Sequence, residues 1–259
     1  KILYFQSSAT TSDFYWISAW TEKDIELIVK FLAYHLSRLY DVKPTSALLL
    51  LPYGVSQDIN VRLMWELGAK SVYFIGLETM KLKVLPLEEV LKRVEPTFKR
   101  AKQYLEVDDE IDTIRTGPFN LEVFTPYSNR IKYMILSGVG ISIEFLNKYL
   151  KRLFPNTTFI INYADSSFGD AIGVIVGNEI IYHTPPNVYI FPVRIENKKI
   201  KIVNVGEEGY KTLIRFGDAA LYIFIDFKEK ITRKNPVYGF KSFGFSNPRR
   251  EVKPSWKFT

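Results

Sequence analysis

The chain has 259 residues, enough to bury a sizeable core, with no cysteine, two histidines and a formal net charge of +7. The missing cysteines exclude disulfides, thiolate metal sites and cysteine nucleophiles, and two histidines are too few for a multi-histidine zinc site. Its apolar runs are far shorter than the roughly 20 residues that span a bilayer, so the sequence predicts a soluble, cytoplasmic protein without a membrane partner.

The first forty residues predict a strand, a polar loop and a helix. Residues 1–6 alternate apolar and polar side chains, as a strand does, and a Ser/Thr-rich loop follows at residues 7–12. Thr21 and Asp24 have the spacing of a capping box, and apolar residues then recur at helical spacing over residues 25–39. We therefore expect an amphipathic helix that begins at Thr21.

Buried strands and helices alternate in the next segment. The apolar run at residues 47–51 is typical of a strand buried on both faces, and residues 71–75 form a second such run. A short helix is predicted between them at residues 59–67, and a charged amphipathic helix interrupted by Pro96 at residues 87–105.

The acidic residues 106–112 predict a solvated loop, after which residues 132–136 return to strand and residues 143–154 to helix. This alternation favours an α/β fold: a Rossmann-like, mostly parallel sheet with helices on both faces. Short β-rich runs separated by Gly or Pro then fill residues 156–227. The predicted domains are residues 1–155, a β-rich antiparallel unit at residues 156–227, and an extended basic arm at residues 228–259.

A loop containing two glycines lies where the strand at residues 132–136 passes into a helix. In a parallel sheet this place is at the carboxyl edge, where backbone N–H groups can hold a phosphate or another anion. The loop after the first strand adds hydroxyl groups, although short Ser/Gly turns also occur for packing alone. The predicted ligand-binding residues are Ser7, Ser8, Thr10, Thr11, Ser137, Gly138, Gly140 and Ser142.

The element order also resembles a known family. A first strand with a Ser/Thr loop, a later strand–Ser-Gly-x-Gly–helix element, and a strand that ends in Asn162-Tyr163-Ala164-Asp165-Ser166 are similar to CRISPR-associated Rossmann-fold sensor domains. The resemblance covers roughly the first 165 residues. It implies a cyclic-oligonucleotide ligand and a role in antiviral defence.

A metal-dependent nuclease is an alternative. Asp165 ends a strand and is followed by a hairpin, as in ribonuclease-H-like enzymes, where further carboxylates help to hold two divalent cations. Asp170, Asp218 and Asp226 are the further candidates, although hairpin turns also favour Asp for backbone reasons. The candidate catalytic residues are Asp165, Asp170 and His183, the last of which lies at a strand end. His35 is expected to pack within its helix.

The basic arm carries the whole net charge, with nine Lys or Arg against two Asp or Glu, and six aromatic residues among them. Cations interleaved with aromatic rings suit single-stranded nucleic acid. The predicted nucleic-acid-binding residues are Lys241, Arg249, Arg250 and Trp256. Alternatively, the arm lies as an edge strand on its own domain or on a neighbouring subunit.

The leading hypothesis is a nucleotide- or nucleic-acid-binding module that recognises a phosphorylated ligand. The alternatives are the nuclease, whose cofactor would be a divalent cation, and a structural protein that forms a homo-oligomer through its arm. No cofactor is otherwise implied, and the sequence leaves open whether the protein is an enzyme. The absent Cys, scarce Met and abundant Ile, Lys, Glu and Tyr are typical of a protein from a hot environment.

Overall fold

The fold, given by a computed structural model, is α/β with one large mixed sheet. The structure describes residues 1–6, 17–77, 85–138, 140–165 and 167–250. Ser7, Ser8, Thr10, Thr11 and Trp256 therefore lie outside the described residues.

The described strands are β1 (Ile2–Gln6), β2 (Ile17–Thr21), β3 (Ser46–Leu51), β4 (Ser71–Gly76), β5 (Ile111–Thr116), β6 (Tyr133–Leu136), β7 (Thr158–Asp165), β8 (Gly169–Val176), β9 (Glu179–His183), β10 (Val188–Glu196), β11 (Lys199–Ile202), β12 (Glu208–Phe216), β13 (Leu221–Lys234) and β14 (Gly244–Arg250). The helices are α1 (Glu22–Tyr40), α2 (Val55–Glu66), α3 (Leu87–Val107), a 3-10 segment (Leu121–Tyr127), and a continuous stretch of α4 (Ile143–Phe145), a π-helical turn (Leu146–Leu150) and α5 (Lys151–Leu153).

Twelve of these strands form one sheet in the order β11-β10-β12-β13-β14-β9-β8-β7-β6-β5-β3-β4. Strands β3 to β7 pair in parallel, and the remaining pairs are antiparallel. Strand β7 pairs with β6 in parallel and with β8 antiparallel, so it joins the two parts of the sheet. The prediction of a mostly parallel sheet therefore describes only one end of a mixed sheet.

Helix α1 begins where the sequence predicts. The Asp24 backbone N–H donates to Thr21 Oγ1 at 3.2 Å, and the Thr21 backbone N–H donates to Asp24 Oδ2 at 2.9 Å, which completes the capping box. The helix ends at Asp41, whose backbone is left-handed at φ 50°. Its buried face, which includes Ile25, Ile28 and Leu32, packs on the sheet.

Helices cover both faces of the parallel strands. One core joins α1 and α2 to side chains such as Leu49, Ile135 and Ile160. The other core joins α3 and the α4–α5 stretch to side chains such as Leu48 and Ile114. Because side chains alternate along a strand, neighbouring residues of β3, β5, β6 and β7 enter opposite cores.

The first strand lies outside the main sheet. Strands β1 and β2 form a separate antiparallel pair, whereas the sequence pattern predicted a first strand within the parallel sheet. The Arg215 guanidinium is sandwiched between the rings of Trp20 and Tyr222 at 3.9 and 4.3 Å, and its Nη2 donates to the Ala19 carbonyl at 2.6 Å. These contacts attach the pair to β12 and β13, because a cation stacks favourably on aromatic faces.

Two local predictions differ from the structure. Residues 106–112 were predicted to be a solvated loop, but β5 begins at Ile111 and Asp112 is buried. The Asp112 carboxylate accepts hydrogen bonds from the Thr45 backbone N–H and Lys132 Nζ, both at 3.0 Å, which satisfies it inside the fold. Helix α3 continues through Pro96 because its buried residues, on both sides of the proline, anchor it to the sheet.

Most of the described part of the basic arm lies in the sheet. Strand β13 reaches Lys234, and β14 pairs with β13 and, through Phe245, with Tyr182 of β9. The domain division near residue 155 stays a prediction. Among the helices that the structure describes, none is long and apolar enough to cross a membrane.

Candidate functional site

The carboxyl ends of the parallel strands form one rim of the sheet. Strand β6 ends at Leu136, and the Ser137 backbone N–H donates to the Thr116 carbonyl at 3.1 Å, so the loops after β5 and β6 start side by side. Gly138 has φ +92° and Gly140 is exposed, and a Cβ added to either glycine would meet no atom of the described part of the chain within 4 Å. The backbone after β6 is therefore open to approach from solvent.

The other rim residues have structural contacts. Ser142 caps the helix that follows, since its Oγ accepts from the Phe145 backbone N–H at 3.0 Å.

Helix α2 begins after Gly54, and no side chain of the described residues caps its first N–H groups. Its amino end lies beyond the carboxyl end of β3, on the same rim as Ser137 and Gly138.

A polar cluster adjoins this rim on the face covered by α1 and α2. Arg115 Nη2 donates to Asp170 Oδ2 at 2.6 Å, and Asn60 Nδ2 donates to the same oxygen at 3.1 Å. Asn162 lies on the same face, since it pairs with Ile172 of that core and is two residues from Ile160. We call Asn60, Arg115, Asn162 and Asp170 the Arg115 cluster.

The Arg115 cluster is closed to solvent but incompletely hydrogen-bonded. The four side chains are 0%, 0%, 3% and 1% exposed in that order. Six polar atoms of the cluster have no hydrogen-bond partner among the described residues: Arg115 Nε and Nη1, Asn60 Oδ1, Asp170 Oδ1 and both polar atoms of the Asn162 amide. Buried polar atoms are normally paired, so these donors and acceptors are available to a further hydrogen-bonding group.

A second ionic group, the Lys211 cluster, lies on the opposite face and consists of Lys211, Tyr163, Asp165, Asp226 and Glu229. Lys211 Nζ is fully buried and donates to Tyr163 Oη at 2.9 Å, Asp165 Oδ2 at 3.0 Å and Glu229 Oε2. Asp226 Oδ2 is 3.6 Å away. One ammonium group therefore neutralises part of the charge of three carboxylates.

Charge pairing controls protonation in the Lys211 cluster. Burial alone would lower the pKa of Lys211, but the facing Tyr163, Asp165 and Glu229 raise the pKa well above its ordinary value. Burial would raise the pKa of Asp165, but Lys211 and the hydrogen bonds from Ser167 hold that pKa well below its ordinary value. Both groups are therefore charged at neutral pH.

Of the carboxylates predicted for a nuclease, only Asp165 and Asp226 come together, and both lie against the Lys211 ammonium group. Asp165 and Asp170 enter opposite cores, where Lys211 and Arg115 neutralise them. Asp218 lies apart, between β12 and β13, and pairs with exposed Lys23 at 3.4 Å. Across the described ranges there is no group of three metal-donor side chains that could hold an ion. The described residues therefore provide no site that could hold the two cations of such a mechanism.

His183, one of the candidate catalytic residues, stacks on the ring of Phe240. Its ring lies 3.9 Å from the Phe240 ring at an interplanar angle of 4°, and His35 stacks on the other side of Phe240 at 4.2 Å. Burial, with a contribution from Arg38, lowers the pKa of His35 to about 4. Burial, with a contribution from His35, also lowers the pKa of His183 to about 4. The stack joins the segment before β14 to α1.

The stack predicts acid sensitivity. A histidine with a folded pKa near 4 and an unfolded pKa near 6.5 binds its proton more readily in the unfolded chain, so stability present above pH 6.5 is lost as pH falls toward 4. Between pH 7 and 4.5 we expect the wild type to lose about 2 kcal/mol more than the double variant His35→Phe/His183→Phe, after discounting for solvent screening. Urea unfolding at both pH values measures the difference. Equal losses in the two proteins would contradict it.

The described residues of the predicted nucleic-acid surface are placed along β14 and the loop before it. Lys241 and Arg249 are exposed, and Arg250 ends the strand. Arg249 lies beside Lys230 of β13 in the strand register. These cations belong to an ordered sheet.

Several residues of both clusters were not identified from the sequence. Arg115 and Lys211 each interrupt an otherwise β-forming run, and a charge inside such a run could have indicated a buried pair. Asn60 and Asn162 carry no comparable signal, because amides are common on helix and strand surfaces.

No protein-family model matches the sequence, and no curated protein matches it significantly. The fold is similar to solved adenylate-forming CoA ligases. One is an open conformation of 2-hydroxyisobutyryl-CoA ligase in complex with 2-HIB-AMP and CoA. The match covers 90% of this chain and 53% of the ligase chain, with a TM-score of 0.64 and 13% sequence identity. Another is the anthranilate CoA ligase AuaEII in complex with anthranoyl-AMP. That match covers 95% of this chain and 46% of the ligase chain, with a TM-score of 0.56 and 12% sequence identity. The chain thus spans about half the length of these enzymes.

The similarity corrects the predicted family and function. The resemblance to CRISPR-associated sensor domains, with its cyclic-oligonucleotide ligand and antiviral role, is wrong, because the structural neighbours are ligase domains. The predicted nucleotide- or nucleic-acid-binding module, and its nuclease and assembly alternatives, are contradicted by the same neighbours. The comparisons give no support to a nucleic-acid partner or to a homo-oligomer.

Proposed function

We propose that this chain is the substrate-binding core of an adenylate-forming ligase, which activates a carboxylic acid as its acyl-AMP and passes the acyl group to CoA. The observation that carries the proposal is the extent of the fold likeness: 90% of the chain matches a CoA ligase that binds an acyl-AMP and CoA. Because the chain spans about half of that enzyme, we assign to it the retention of the acyl-AMP, and the complete reaction to the whole protein.

The reaction has two steps. A carboxylate oxygen of the acid attacks the α-phosphorus of ATP, and pyrophosphate leaves with the electron pair of the broken P–O bond. The sulfur of CoA then attacks the acyl carbonyl carbon, the thiol proton passes to solvent, and AMP leaves. Since the first step consumes ATP and the second consumes CoA, a cytoplasmic location belongs to the same proposal.

The rim has the features that an acyl-AMP requires. We assign the phosphoryl group to the N–H groups at the start of α2 and to the backbone at Gly138 and Gly140, which are open to approach. In this assignment the parallel strands act as a Rossmann-like layer whose carboxyl edge holds the ligand.

Binding of an unreactive acyl-AMP analogue tests the proposal. We expect the chain to bind an acyl-sulfamoyl adenosine in isothermal titration calorimetry, and Gly138→Ala to weaken binding at least about tenfold, because the added methyl group occupies the open approach, a loss of about 1.4 kcal/mol. Gly177→Ala is the matched control, since Gly177 also has positive φ and open space around its Cβ. An absence of heat with every analogue, or equal losses in both variants, would refute the assignment.

A further inference from the structure

We propose that the Arg115 cluster is a specificity site, which receives a neutral hydroxyl group on the acyl chain of the substrate. The inference rests on the proposed function and adds the class of acid. Its physical basis is the set of unpaired polar atoms in the cluster, which remain unpaired on side chains at least nine-tenths buried.

The cluster extends from the rim into the sheet, where it can meet a short acyl chain held at the rim. Arg115 lies beside Ile135 in the register of β5 and β6, and Ile135 is two residues, roughly 7 Å, before Ser137 at the rim. Asn162 follows Ile161, the strand partner of Leu136, and is therefore level with Ser137. Asn162, on the same face, continues the cluster along β7.

The unpaired atoms define the chemistry of the ligand group. Arg115 offers Nε and Nη1 as donors, Asp170 and Asn60 offer one oxygen each as acceptors, and the Asn162 amide offers both kinds. A hydroxyl group both donates and accepts, so it can satisfy atoms of each type at once. An alkyl group would leave all of them unpaired, which is unfavourable in a site closed to solvent.

Charge decides between a hydroxyl group and a second carboxylate. Arg115 and Asp170 already neutralise each other at 2.6 Å. A further anion beside Asp170 would leave a net negative charge in a site closed to solvent, which is strongly unfavourable. The cluster therefore favours hydroxy acids over simple fatty acids and rejects dicarboxylates.

The affinities of three acyl-sulfamoyl adenosines test this specificity: the 3-hydroxybutyryl, butyryl and succinyl compounds. For the wild-type chain we expect the hydroxylated analogue to bind at least about tenfold more tightly than the butyryl analogue, and the succinyl analogue to bind most weakly. Binding of none of the three would overturn this inference together with the proposed function. Equal binding of all three would overturn the specificity alone.

The variant Asn162→Leu separates a binding role from a structural one. Leucine has the same number and branching of side-chain heavy atoms as asparagine and no polar atoms, so we expect the variant to fold and to lose most of the preference for the hydroxyl group. Thr212→Val is the matched control: Thr212 Oγ1 is also buried and unpaired, but it lies in β12, outside the cluster. A preference that Asn162→Leu leaves unchanged would overturn the proposal. If that variant does not fold, the affinities of the wild-type chain for the three analogues still test the proposal.

Discussion

Replacing Lys211 with Met is expected to destabilise the protein by about 3–5 kcal/mol at pH 7, because breaking a buried ion pair leaves uncompensated charge. In this chain the loss is aggravated, since Asp165, Glu229 and Asp226 would face one another without the ammonium group that now neutralises them. Urea unfolding followed by circular dichroism measures the change in the free energy of unfolding.

Lys201→Met is the control for this variant. Lys201 also pairs with a carboxylate, Glu196 at 2.7 Å, but both side chains are exposed, so the expected loss of stability is small. Adding Glu229→Gln to Lys211→Met should recover part of the stability, because one of the uncompensated charges is removed. Similar losses for Lys211→Met and Lys201→Met would contradict the ionic account of the cluster.

The loss of stability caused by Lys211→Met should depend on pH, in a direction set by the pKa of Asp165. In the wild type the folded pKa of Asp165 is depressed, so this carboxylate stabilises the fold above its unfolded pKa of about 3.9 and the contribution is lost as pH falls through and below that value. Without Lys211, burial of Asp165 would raise its pKa, and protonation would remove its uncompensated charge. The destabilisation by Lys211→Met should therefore be smaller at pH 4.5 than at pH 7.

Replacing Arg115 with Met is the second large effect, also about 3–5 kcal/mol, because Asp170 would remain buried with only Asn60 as a described partner. Burial lowers the pKa of Arg115, and the charge of Asp170 opposes that shift, so each charge depends on the other. Thermal and urea unfolding of the variant measure the loss.

A double-mutant cycle isolates this pair. Arg115→Met/Asp170→Asn removes both charges, so we expect it to be more stable than the sum of the single losses predicts, by at least about 1 kcal/mol. Arg194→Met, at an exposed pair with Glu207, is the surface control and should lose little. Strict additivity of the two buried changes would show that Arg115 and Asp170 are not coupled.

The local signals in the sequence identified the regular elements well where the hydrophobic pattern is strong. Thr21 and Asp24 form the predicted capping box, and residues 47–51 lie in β3, which is buried throughout. Strand β5 was missed because its sequence, Ile-Asp-Thr-Ile-Arg-Thr, is half polar, although every residue in it is buried. The polar residues are tolerated there because distant groups pair with them.

The sequence alone determined the alternation of helices and strands and the exclusion of thiolate and multi-histidine metal sites, because those depend on local periodicity and on composition. Only the tertiary structure decided which charges meet. Arg115 and Asp170 are 55 residues apart, and Lys211 lies 46 residues from Asp165. Strand order and register bring these side chains together, and alternation along β7 and β8 sends the two aspartates to opposite faces. Those are properties of the assembled sheet, set by contacts that no local stretch of sequence contains.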